Sequence, residues 1–136
     1  MAEIFNFYVQ DDRTIQFQSN LLEPIMQEDL NVATWRFRIP KVLNNIDMSA
    51  WVWWFVYVNA ENRTYSELLT LENDIDDPEN YYTADHNIDR GISNYSGSFS
   101  FALEAEKTEN EEIVGEWHTR TYTYKVNSTL QGNHAE

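Results

Sequence analysis

The sequence predicts an all-β protein: an antiparallel β-sandwich, immunoglobulin-like or jelly-roll-like, of about seven to nine strands. Three observations lead there. Apolar residues recur mainly at every second position, the strand period. Charged and turn-forming clusters interrupt the chain at intervals of roughly 10 to 15 residues. No segment carries the long 3.6-period stripe of an amphipathic helix. At 136 residues, with 42% hydrophobic and 15% aromatic residues, the chain is one domain with a core of its own rather than a disordered polymer.

Each element follows from its residues. "IFNFYV" (4–9) and "TIQFQ" (14–18) flank Asp11-Asp12, a turn, and predict a hairpin. Residues 1–24 therefore read as an N-terminal hairpin or arm. Pro24 breaks any helix across 19–31, so that stretch reads as a loop. "ATWRFRIP" (33–40) is a clean strand, with Trp35, Phe37 and Ile39 on one face and Arg36 and Arg38 on the other; Pro40 ends it. "WVWWFVYV" (51–58) is the next strand. Glu61 to Arg63 turns the chain, and 64–71 returns. "ENDIDDPEN" (72–80) reads as a solvated acidic loop, Tyr81 to Ala84 as a short strand, and "HNIDRGISNYSG" (86–97) as a connection. "SFSFALEA" (98–105) alternates strongly, with Phe99, Phe101, Leu103 and Ala105 inward. "EKTENEE" (106–112) reads as a charged loop. "EWHTRTYTYKV" (116–126) has strand composition and begins with Trp117, a core candidate. The domain then spans 1–126, and 127–136 is a polar tail.

Composition excludes several function classes. Only nine basic residues stand against 23 acidic ones, a formal net charge of −14. That balance argues against nucleic acid and against anionic membrane surfaces as partners. With no cysteine, thiol catalysis, disulfides and Cys-based metal sites are excluded. The opening "MAEIFNFYVQ" has an early Glu and no basic region, so it does not read as a secretory signal. The uncharged run at 51–60 lasts about ten residues, whereas a membrane-spanning helix needs about 20.

Motifs for catalysis are missing: there is no nucleophile elbow, phosphate loop or HExxH. Asp85, His86 and Asp89 hold the residue types of a triad, but on one loop's spacing, and His86 reads as a loop histidine among polar neighbours. His86, His118 and His134 lack zinc spacing. Asp74, Asp76 and Asp77 offer oxygens to calcium, without the central Gly and closing Glu of an EF-hand loop. The sequons at Asn62, Asn94 and Asn127 carry no implication without a secretory route. The expectation is a protein that is not an enzyme and needs no cofactor.

The strand 51–58 poses a physical problem, because both its faces are apolar. The β-branched even row (Val52, Trp54, Val56, Val58) is assigned to the core with Trp35, Phe37, Phe99, Phe101 and Trp117. The odd row (Trp51, Trp53, Phe55, Tyr57) is assigned to an interface. The reverse is nearly as good, since aromatics also fill sandwich cores. A row of this size needs cover: the chain's own loops, a protein partner, or a sugar stacked on flat rings. The strand must also be central, because a long uncharged edge invites aggregation.

Taken in order, "IMQEDLNVATWRFRIP", "NNIDMSAWVWWFVYVNAEN", "DRGISNYSGSFSFAL" and "GEWHTRTYTYKV" resemble a β-sandwich domain of phage and prophage structural proteins of Gram-positive hosts. The matching positions are Asp29, Phe37 to Pro40, Asp47 to Ser49, Asn59-Ala60, Tyr95 to Gly97, Phe99 to Phe101, and Trp117 to Thr119, within residues 25–126. Relatives often carry an aromatic near the position of His86. The resemblance implies a non-catalytic virion component of the tail, baseplate, head fibre or capsid surface, assembled in the host cytoplasm. Its partners would be other virion proteins and copies of itself. The alternative is a carbohydrate-binding module that recognises a host surface glycan.

Overall fold

In the computed structural model, residues 3–17, 25–26, 33–87 and 97–127 are described. The strands are β1 (Glu3–Val9), β2 (Ile15–Phe17), β3 (Ile25–Met26), β4 (Ala33–Pro40), β5 (Val42–Leu43), β6 (Ile46–Asp47), β7 (Val52–Val58), β8 (Thr64–Leu69), β9 (Glu72–Asn73), β10 (Tyr81–Asn87), β11 (Gly97–Glu109), β12 (Glu112–His118) and β13 (Tyr122–Asn127). A 3-10 turn at Met48–Ala50 precedes β7. Sheet A has the order β2-β1-β4-β10-β9, and sheet B the order β3-β13-β11-β7-β8, with β12 also paired to β11. Most pairs are antiparallel; β1 runs parallel to β4, and β3 parallel to β13. The result is the all-β sandwich that the alternation predicts.

The two sheets meet on aromatic rings. Trp35 and Phe37 of sheet A are buried, as are Phe99, Phe101 and Trp117 of sheet B. Trp35 bridges the layers. Its ring centroid lies 4.8 Å from Phe7 in its own sheet, and 5.1 Å from Phe101 and 6.3 Å from Phe55 across the gap. The contacts with Phe101 and Phe55 are edge-on, a favoured aromatic geometry, and a third ring across the gap, Phe99, lies tilted at 6.0 Å. Trp53 and Trp117 sit 5.7 Å apart.

Strand β7 is central, between β11 and β8, but its faces are the reverse of the leading assignment. Trp53, Phe55 and Tyr57 are buried, whereas Val52 is 41% exposed and Trp54, Val56 and Val58 are only partly covered. The cause is register. Tyr57, Phe55 and Trp53 pair with Phe101, Leu103 and Ala105, the inward row of β11. Val56, Trp54 and Val52 pair with Ala102, Glu104 and Glu106. Cross-strand neighbours share a face, so burying the even row would bury two carboxylates, a cost that aliphatic packing does not offset. Trp51 is half-buried against the core, with its ring over Gly115.

Two loop expectations and one strand expectation also change. Residues 72–73 form β9, which pairs with Tyr82 and Thr83. The charged segment 106–112 is mostly strand: β11 runs on to Glu109 and turns through Asn110 and Glu111, both at positive φ. The stretch 116–126 is two strands separated at Thr119–Thr121. There the Thr119 amide donates to the Leu103 carbonyl, and the Thr119 hydroxyl accepts from the Leu103 amide. Pairing against β11 slips by one residue between His118 and Tyr122, in the manner of a β-bulge. The slip frees the Arg120 amide to reach the Arg13 carbonyl in the β1–β2 turn, 2.8 Å away.

The N-terminal hairpin is therefore part of the sandwich. The Tyr122 hydroxyl accepts from the Ile15 amide, and Arg13 Nη1 donates to the His118 carbonyl, both at 2.8 Å. Arg13 also lies over the Trp117 ring, 5.0 Å from its centroid.

Candidate functional site

Several motif positions prove to be turn organisers. Asp47 Oδ1 accepts from the Ser49 amide at the 3-10 turn. Asn59, 2% exposed, accepts from the amides of Glu61 and Arg63 and shapes the β7–β8 turn. Trp117 Nε1 donates to Asn44 Oδ1. Asn44 itself has φ near 51°, a left-handed conformation that Asn tolerates better than most residues. Asp29, Tyr95 and Ser96 lie outside the described residues.

The outer face of sheet B is apolar and acidic. Its apolar row is Val52, Trp54, Val56 and Val58, extended at the β8 edge by Leu68, which is 59% exposed. Beside it run Glu104 and Glu106 on β11 and Glu116 on β12. Trp54, Ser66, Glu104 and Glu106 line a shallow depression of about 250 Å³. Ligand atoms of Glu104, Glu106 and Glu116 lie within 4.8 Å of one another. The hydrogen bond with Glu104 holds the Glu106 carboxyl above its ordinary pKa; partial burial and the Glu104 charge push the same way. At the far end of the β11–β12 hairpin, Ile113 and Val114 are both more than half exposed.

The outer face of sheet A is a polar groove of about 610 Å³. Register sets its floor in two rows, Asn6–Arg36–Asp85 and Tyr8–Arg38–Thr83 across β1, β4 and β10. Arg36 clamps Asp85 through Nε and Nη2 at 2.8 and 3.0 Å. Arg38 Nη2 donates to Asp74 at 3.0 Å, and the guanidinium lies over the rings of Tyr81 and Tyr8. The segment from Thr70 to Asp76 forms the wall.

The sequence-predicted sites fare unevenly. Trp53, Phe55 and Tyr57 face inward, so they cannot stack on a sugar or meet a partner. Asp74, Asp76 and Asp77 form an internally bonded turn. The buried Asp74 carboxylate accepts from the amides of Asp76 and Asp77 and from Arg38, while Asp77 accepts from Asn80. Burial alone would raise the Asp74 pKa; Arg38 and those amides outweigh it and hold it below the ordinary value. Asp85 and His86, one residue apart on β10, point to opposite faces. Asp85 is on the outer face with Arg36. His86 is buried, stacked 4.2 Å from Phe55, with Nδ1 3.0 Å from Glu67 Oε2. No triad is assembled from them, and Asp89, Asn94 and His134 lie outside the described residues. Sequence reading missed the groove, because its carboxylate partners sit on segments read as loops.

Among the described residues, strand rows build two outer faces on this β-sandwich, one apolar and acidic and the other polar. Its fold is similar to that of the N-terminal domain of ORF48 of phage TP901-1, at a TM-score of 0.53 and 13% sequence identity, over 93% of this chain and 98% of that domain. No protein-family model matches the sequence, and no curated protein matches it. No helix among the described residues is long and apolar enough to cross a membrane.

Proposed function

We propose that this protein is a non-catalytic structural component of a phage virion, acting by protein–protein assembly with other virion proteins and with copies of itself. The observation that carries the reading is the near end-to-end fold likeness to a domain of a phage protein. The ordered motifs across residues 25–126 support it independently.

The assembly surface in this reading is the outer face of sheet B. Val52, Trp54 and Leu68 supply apolar area, and Glu104, Glu106 and Glu116 supply charge. The matching partner surface is apolar at its centre with Lys and Arg at its rim, since charge complementarity sets partner choice and register. Attachment within the tail, baseplate, fibre or capsid surface is the finer form of the same proposal.

The test is incorporation into particles. Labelled protein should be found on virions by electron microscopy, and Val52→Glu or Trp54→Glu should abolish incorporation while leaving the circular dichroism spectrum intact. A folded protein that never associates with virion proteins and stays monomeric in light scattering overturns the reading.

A further inference from the structure

We propose that the groove on the outer face of sheet A is a binding site for a neutral oligosaccharide. This does not depend on the virion reading and uses the opposite face of the molecule.

The argument starts from how the side chains are held. On an ordinary sandwich exterior, Arg side chains wave in solvent. Here Arg36 is fixed in a two-pronged clamp on Asp85. Arg38 is fixed by Asp74 and by the rings of Tyr8 and Tyr81. Asp74 is in turn buried, and its bonds to the Asp76 and Asp77 amides make the wall of the groove rigid. Holding polar groups in place before a ligand arrives lowers the entropy cost of binding.

The ligand class follows from the balance of groups. Two arginines face four carboxylates (Glu72, Asp74, Asp76, Asp85) along the groove. An anion meets net repulsion there, and the arginines already have their counter-charges. What remains is a floor of oriented N–H donors and carboxylate and hydroxyl acceptors, with the Tyr8 ring beside them. Sugar hydroxyls both donate and accept, so they can use each kind of group at once. The volume of about 610 Å³ falls within the range of small-ligand sites, about 300–1,000 Å³.

The experiment is a nuclear magnetic resonance titration of the whole protein with maltose, lactose and N,N′-diacetylchitobiose, up to roughly 10 mM, which reads millimolar affinities. Spermidine and tripolyphosphate serve as charged probes. At least one neutral disaccharide should shift amides of β1, β4 and β10 saturably. Arg36→Ala and Thr83→Val should each weaken that binding about tenfold or more, while Trp54→Ala leaves it unchanged. Two variants are named because Thr83→Val keeps the Arg36–Asp85 clamp should Arg36→Ala fail to fold. The proposal is overturned if none of the three sugars shifts those amides, or if a charged probe occupies the groove in preference. It is equally overturned if sugar binding survives in the folded variants.

Discussion

At the residue scale, Trp53 and Val52 are the sharpest contrast in the molecule: neighbours in sequence, one sealed between the sheets and one 41% exposed. Trp53→Ala removes a large buried ring that packs on Trp117, and should cost about 3–5 kcal/mol. Val52→Ala should change stability by no more than about 0.5 kcal/mol. Urea denaturation of the two variants measures both, and a Val52→Ala cost as large as that of Trp53→Ala would reverse the faces again. Trp53 also carries a buried Nε1 with no hydrogen-bond partner among the described residues, so packing rather than polarity accounts for its place. The faces were open to sequence reasoning only through a neighbouring strand. Within 51–58 alone, both rows are apolar and the parity is undecidable. On 98–105 the alternation of Phe99, Phe101, Leu103 and Ala105 with Glu104 and Glu106 is unambiguous, and pairing carries that parity onto β7. Knowing which strands pair is what the sequence lacks.

At the element scale, β12 lies on β11 with Gly115 under the Trp51 ring. A Cβ at Gly115 would come within 2.7 Å of that ring, closer than van der Waals contact allows. Gly115→Ala should therefore destabilise the protein by about 1–3 kcal/mol. The same change made in a Trp51→Ala background should cost far less, and a double-mutant cycle measures the coupling. Equal costs in both backgrounds would mean that the ring does not rest there. Strand existence was legible wherever alternation was long, as in 33–40 and 98–105. It was not legible at 72–73 or 106–109, because edge and hairpin strands in contact with water carry charge as readily as loops do. His86 was misread for a related reason: the polar residues around it suggested a connection, while its own stacking on Phe55 could be known only from the opposite sheet.

At the scale of the whole molecule, two acidic groups give acid titration opposite signs. The Asp74 pKa is lowered in the folded protein below its ordinary value of 3.8. Its contribution to stability is thus complete above about that pH and lost as pH falls through the lower folded value. The Glu106 pKa is raised above 4.5. Its ionised form therefore penalises the folded state at neutral pH, and the penalty disappears as pH falls through the raised value. Asp74→Asn should lower the melting temperature at neutral pH by an amount that shrinks in strong acid. Glu106→Gln should raise it at neutral pH, with the gain vanishing in mild acid; melting curves across pH separate the two. The net charge of −14 conveys the general acidity but not these signs, which depend on which carboxylates the fold brings to Arg38 and to Glu104. The Trp53–Trp117 contact has an optical consequence. Two indoles held 5.7 Å apart with their planes inclined at 57° have coupled electronic transitions, and the coupling has a handedness fixed by the strands that carry them. The folded molecule thus bears an intrinsic chiroptical reporter at the junction of β7, β11 and β12, one that needs no label and fades when those strands part.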